Sequence, residues 1–292
     1  MPNKHQDHPE DLILGGETWV LDAMWSEAHT SLKIDGAPAV VWGIHPETGK
    51  FFVGTKSVFN KRLIKVCYSE DDARTIYHKQ PFLADVLVAC YKHLPRREGV
   101  YQGDFIGFGG NQRYTPNTLT YDFGEIVTED IIMAPHTQYC IPDAMYNAEA
   151  QPLQEDFIDT PHCKFVQPIV DRLPLQGRAP RVCGAVPFLE GKRLAEVKQG
   201  INALVREGKE LTDDALYSVI GDHLLVHLYQ MVLDLKAQLI DSFIIYNAPK
   251  CILDDQEIKG EGFVFYGDGG SFKVVDRAQF SYANFTKGRF QA

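Results

Sequence analysis

The chain has 292 residues, 45% of them hydrophobic and 23% charged, enough for a substantial buried core and ordinary for a globular protein. A formal net charge of −10 argues against indiscriminate binding to nucleic acid, whose phosphates attract lysine and arginine. No apolar run is long enough to span a bilayer, and the polar start MPNKHQDHPEDLI lacks the apolar stretch of a signal peptide, so a cytoplasmic protein is expected.

In chain order, GGETWVLDAMW reads as a strand or a helix. Residues 31–35 alternate Ser-Leu-Lys-Ile-Asp, a strand with Leu32 and Ile34 on one face and Lys33 and Asp35 on the other. AVVWGIHPETGKFFVGT predicts two strands joined by a turn at Pro46-Glu47-Thr48-Gly49. Residues 70–94 are predicted helical with an interruption near Pro81, and strands follow at GVYQGDFIGFG and TLTYDFGEIV.

From 134 to 188 the chain is rich in proline and turn residues, with one strand expected at CKFVQPIV. Two helices come next. Leu194, Val197, Ile201, Leu204 and Val205 share one face of the first; Leu216, Ile220, Leu224, Leu228, Val232, Leu235 and Leu239 form the stripe of the second. EGFVFYG and SFKVVD read as closing strands. Strands, then helices, then strands predict an α+β fold with antiparallel sheet, here one domain over 1–292 with a helical insertion at about 190–240.

Six cysteines, at 67, 90, 140, 163, 183 and 251, are widely spaced with no CxxC pair, a pattern of reduced, mostly buried thiols. Two basic stretches stand out against the acidic balance: Lys56, Lys61, Arg62 and Lys65 in GTKSVFNKRLIK, and Lys92, Arg96 and Arg97 in YKHLPRR. Each reads equally as a solvated face or as a local basic groove. His223 and His227 lie four apart on a helix, but HLLVH lacks the glutamate of a zinc-protease motif, and they read as ordinary helix histidines.

Lys33 and Asp35 on one side of a strand, followed by Gly36, face either water or a pocket. In a pocket, desolvation frees the amine as a nucleophile and the glycine allows close approach of a ligand. Four residues alone favour the surface reading. Further along stand Asp104 at the end of YQGDF, Glu261 at the start of EGFVF and Lys273 within SFKVV, at intervals of 71, 157 and 12 residues. Two carboxylates and a second lysine are the groups that could hold a ribose and a divalent metal and neutralise a phosphate under attack.

In this order the segments resemble the covalent nucleotidyltransferase superfamily of DNA ligases, RNA ligases and RNA-capping enzymes. KIDG resembles motif I, YQGDF motif III, EGFVF motif IV and SFKVV motif V. The resemblance implies a nucleotidyltransferase (ATP-grasp-like ligase) domain of antiparallel sheets flanked by helices, with ATP and magnesium or manganese as cofactors. Lys33 would become linked to AMP, with Asp35 and Gly36 beside the nucleotide. Asp104, where glutamate is usual, would meet ribose and metal; Glu261 would support the metal, and Lys273 the α-phosphate. GTKS resembles an intermediate motif and makes Lys56 a candidate for a phosphate or the ribose. Tyr121 or Phe123 in LTYDF would stack on the base.

The pattern departs from the superfamily in several places. Phe265 and Tyr266 stand where motif IV often ends in lysine, Ser271 stands at the first lysine of motif V, and no arginine follows KIDG closely. Only 19 residues follow Lys273, so no oligonucleotide-binding (OB) barrel is expected. The last two features point to RNA ligases of bacteriophage type. The implied activity is ATP-dependent sealing of 5'-phosphate to 3'-hydroxyl ends through lysyl-AMP, on RNA in preference to DNA. Alternatives are a minimal DNA ligase, AMP transfer to a protein or small molecule, and a non-catalytic nucleotide-binding module.

Overall fold

The computed structural model describes residues 6–26, 29–177, 179–182, 184–267 and 269–277. The architecture is α+β, and among the described residues the strand pairs are antiparallel with one exception, Cys163–Phe165 beside Ile131–Cys140. The chain divides into two units, each assembled from separated segments. One comprises Ile34–Pro168 and Asn247–Gly260; the other comprises Gln6–Lys33, Ile169–Tyr246 and the chain from Glu261.

The first unit is built on a large sheet. Its strands run in the order Cys163–Phe165, Ile131–Cys140, Val100–Phe108, Ala39–Ile44, Phe51–Gly54 and Val66–Cys67, with Glu149–Pro152 also pairing Ile131–Cys140. Alternation places Trp42, Tyr101 and Phe105 on one face, where they meet Phe157, Phe165 and the helix Pro81–His93. Val41, Phe52 and Val100 point to the other face and pack with Val58, Phe59 and Tyr139. Each of these large side chains contributes about 1.5–3 kcal/mol by leaving water.

The expected break in the 70–94 helix is present. Helix Glu70–Ile76 ends at Tyr77, and Pro81 opens the next at its first turn, where a missing N–H costs nothing. The ten-residue strand Ile131–Cys140 was hidden from pattern reading by Pro135. The proline sits at a register shift, opposite Gly103. A Cβ on Gly103 would stand 2.6 Å from Ala134 O and 2.7 Å from Pro135 Cα, so glycine and proline accommodate one another there. A smaller sheet, Gln256–Ile258, Lys250–Leu253, Thr120–Asp122 and Arg113–Tyr114, completes this unit.

The second unit carries the sheet His29–Leu32, Gly262–Gly267, Gly270–Val275 and the pair Ile169–Arg172 with Phe243–Tyr246. CKFVQPIV is thus two strands in two units rather than one. GGETWVLDAMW resolves as the helix Trp19–Trp25. The second apolar stripe is split between helices Asp213–Ile220 and His223–Ser242. Gly221 closes the first at φ +79°, and the Asp222 carboxylate accepts from Leu224 N and Leu225 N to start the second. Leu224 is consequently 58% exposed, while Leu216, Ile220, Leu225 and Tyr229 pack with Val197 and Ile201 from helix Gly191–Arg206.

The short helix Pro9–Leu14 buries acids as well as Ile13 and Leu14. Glu10 takes a hydrogen bond from Lys236 Nζ at 2.6 Å, and Arg277 Nη1 reaches Asp11 at 3.0 Å and the Tyr229 hydroxyl at 3.1 Å. Burial pushes Glu10 up, but Lys236, His8 and Arg277 outweigh it and hold the carboxyl at about 2. Cys67, Cys90, Cys163 and Cys251 are buried, Cys140 is exposed, and Cys183 lies outside the described residues.

Candidate functional site

The candidate nucleophile stands at a strand end in the second unit. Leu32 pairs opposite Phe263, and the backbone N–H of Lys33 donates to Gly262 O at 2.8 Å, carrying the antiparallel ladder one residue further. That extension brings Lys33 beside Glu261, and Lys33 Nζ donates to Glu261 Oε2. Their side chains are 25% and 12% exposed, so neither extends into bulk solvent. Gly262 has φ +153°, and a Cβ there would meet Val274 O at 2.3 Å; glycine alone lets the glutamate sit at this edge.

Lys273 lies on the next strand, opposite Val264, and its backbone N–H donates to Asp7 O at 3.1 Å. Burial first, and then the charge of Lys33, push the Lys273 amine below the ordinary lysine range, against the pull of Glu261. Lys33 and Glu261 thus meet at one end of a three-stranded sheet, with Lys273 two residues in from that end on the strand Gly270–Val275. That is a charge arrangement suited to a multiply charged anion.

The first unit holds the other predicted residues. The expected strand over 31–35 ends at Leu32, and Lys33 to Pro38 form a loop. From Ile34 on, that loop is laid against the strand Val100–Phe108: Ala37 N donates to Phe105 O at 2.9 Å and Phe105 N to Pro38 O at 3.0 Å. A Cβ on Gly36 would stand 2.5 Å from Phe105 O and 3.0 Å from Asp104 Cβ. The glycine is required by the protein's own backbone, before any ligand is considered. Gly36 N also points at Asp104 Oδ2, 3.4 Å away, and Asp104 Oδ1 is 3.8 Å from His136 Nε2.

Tyr121 is 1% exposed, and its hydroxyl accepts from Asp35 N at 2.7 Å and donates to Asp35 O at 3.1 Å. It anchors the KIDG loop, with no ring face open to a base. Phe123 is partly exposed and meets Tyr114 edge-on, with centroids 5.6 Å apart. Asn117, which sequence reasoning missed, donates to Asp35 Oδ2 at 2.7 Å. No local pattern marks it, because its role depends on a loop 82 residues away. Lys56 is exposed at the start of a short 3-10 turn capped by Thr55.

The two basic stretches differ. Lys61, Arg62 and Lys65 are exposed, Lys61 over the Tyr146 ring and Lys65 over the Tyr77 ring. Arg96 instead stacks over Phe51 and Tyr91, Arg97 stacks over Phe157 and pairs with Glu155, and Lys92 pairs with Glu70, so the second stretch is structural. His223 stacks on Tyr217 at 4.1 Å and His227 is exposed.

Compared with known proteins, residues 3–176 and 218–289 match one family model, described as "Family of unknown function (DUF6267)". The match passes over 177–217, which includes the helix Gly191–Arg206. Neither a curated protein nor a solved structure matches the chain.

Proposed function

The chain belongs to this family of unknown function, and we propose from its own residues that it is an ATP-dependent nucleotidyltransferase that forms lysyl-AMP on Lys33 and seals polynucleotide ends, RNA in preference to DNA. The observation that carries the reading is the contact of Lys33 with Glu261 beside Lys273, which unites the first, fourth and fifth motif segments. Within the resemblance, these are the nucleophile, the metal-side acid and the phosphate-side lysine.

In the proposed reaction Lys33 Nζ attacks the α-phosphorus of ATP. A P–N bond forms as the P–O bond to pyrophosphate breaks, and pyrophosphate leaves with the electron pair. The amine must first give up a proton, and Glu261 Oε2 is in hydrogen-bond contact to take it. Burial first, and repulsion by Lys33 second, hold Lys273 below the usual lysine range, and the repulsion falls when either amine becomes neutral. Charged Lys273 can then meet the equatorial oxygens, where positioning and electrostatics supply most of the catalysis. The AMP passes to a 5'-phosphate, and a 3'-hydroxyl displaces it.

Magnesium, when bound, neutralises charge on the phosphates. Within the resemblance, Glu261 is the carboxylate that would support the ion and Asp104 the acid that would meet ribose and metal. Of the two aromatic candidates, the burial of Tyr121 leaves Phe123 as the ring for a base.

The test is incubation with α-labelled ATP and magnesium, followed by separate addition of nicked RNA, nicked DNA and a protein mixture. Label appearing on the chain and then joined RNA ends is the expected result. Transfer to protein alone would replace strand sealing with protein adenylylation, and ATP binding without covalent label would leave only a binding module.

A further inference from the structure

We propose a second site, for a zinc-class divalent ion, formed by His93, Asp130 and His162 in the first unit. It shares no residue with the nucleotide site and stands or falls apart from it. The ligating atoms of the three side chains all lie within 4.8 Å of one another. Asp130 Oδ2 is 2.6 Å from His162 Nδ1 and 3.6 Å from His93 Nδ1, and the imidazole centroids are 5.2 Å apart. Ligands at about 2.0–2.1 Å around a tetrahedral ion are about 3.3 Å from each other. A modest swing of side chains that are 22%, 52% and 63% exposed opens the group to that spacing.

Three separate elements deliver these groups, and each is held by backbone. His93 is the last residue of helix Pro81–His93, where the helix dipole favours a cation. Asp130 directly precedes the strand Ile131–Cys140. Its carbonyl accepts from Gly109 N at 3.1 Å, and Gly109 has to be glycine because a Cβ there would fall 1.7 Å from Glu129 O. His162 lies in the tight turn Thr160–Cys163, where Thr160 Oγ1 accepts from Cys163 N at 2.9 Å. Parallel pairing of Cys163 with Ile131, with Ile131 N donating to His162 O at 3.1 Å, locks the second and third ligands side by side. Lys164, the cation two residues on, is engaged by Glu129 and Asp159 at 3.8 and 3.6 Å.

Two imidazoles with one carboxylate select a late first-row ion over magnesium or calcium, which take oxygen ligands. Three protein ligands leave an open position for water or an anion. The rival reading is a plain surface histidine–aspartate pair, which needs no metal.

The experiment is equilibrium dialysis of the intact reduced chain against zinc, with bound metal counted by elemental analysis, repeated on His93→Ala and His162→Ala. We expect one zinc per chain at micromolar or lower concentration, undiminished by millimolar magnesium, and at least a tenfold loss of affinity in each variant. His162→Gln, which keeps the side-chain bulk, replaces the alanine variant if that one unfolds, and circular dichroism decides which is used. Absence of saturable zinc binding, or unchanged affinity in either histidine variant, overturns the proposal.

Discussion

At the scale of single residues, burial and the charge of Lys33 hold the Lys273 amine below the ordinary lysine range. A lysine whose folded value is depressed destabilises the fold at every pH below that value, and the cost fades as pH rises through it towards the ordinary lysine value. Lys273→Met should therefore raise the melting temperature at neutral pH, by roughly 1–3 °C, while abolishing adenylylation. A fall in melting temperature would make the lysine a structural group. His8 is shifted in the same direction, over a lower pH window. It is partly buried, its Nδ1 has no hydrogen-bond partner among the described residues, and burial with nearby Arg277, Lys236 and Lys273 holds it at about 2 despite Glu10. Below its ordinary value of about 6.5 the unfolded chain takes a proton that the folded chain refuses, so stability falls by up to about 1.4 kcal/mol per pH unit. In urea titrations between pH 7 and 5, His8→Phe should flatten that slope; an unchanged slope would assign it to other groups.

At the scale of elements, the KIDG loop is held by its own fold as much as by any ligand. Tyr121 grips Asp35 through both backbone groups, Asn117 holds its carboxylate, and Gly36 lets Phe105 O approach. Gly36→Ala should cost about 1–3 kcal/mol in thermal or urea unfolding, from forced displacement of backbone rather than of a flexible side chain. A neutral result would show that the loop shifts freely. The helices divide in the same informative way. Periodicity marked the stripe from Leu216 to Leu239, but period alone could not see that Gly221 and Asp222 turn one helix into two. The strand Ile131–Cys140 was invisible because Pro135 reads as a breaker until Gly103 opposite it is known.

At the scale of the whole chain, what could be read from sequence was local. The turn after Ile44, the break at Pro81 and the closing hairpin of Gly262–Gly267 with Gly270–Val275 are all set by neighbouring residues. Partnerships across the chain were not legible from pattern: Asp35 with Asn117, Glu10 with Lys236, and His93 with Asp130 and His162 depend on how strands align. Lys33 and Glu261 were paired in advance by resemblance to motifs, since 228 residues separate them. The division into two units has no linker to announce it, because the chain passes between them at ordinary loops and strand ends. The segment 177–217, outside the family match, adds Val197, Ile201 and Val205 to the core of its unit.

One covalent bond decides the central claim. The parent chain and Lys33→Ala are incubated with α-labelled ATP and magnesium, denatured, and digested, and the labelled peptide is mapped by mass spectrometry. The account requires AMP on Lys33 of the parent and none on the variant. Label of equal strength on the variant, or a parent that binds ATP and never acquires label, would contradict it.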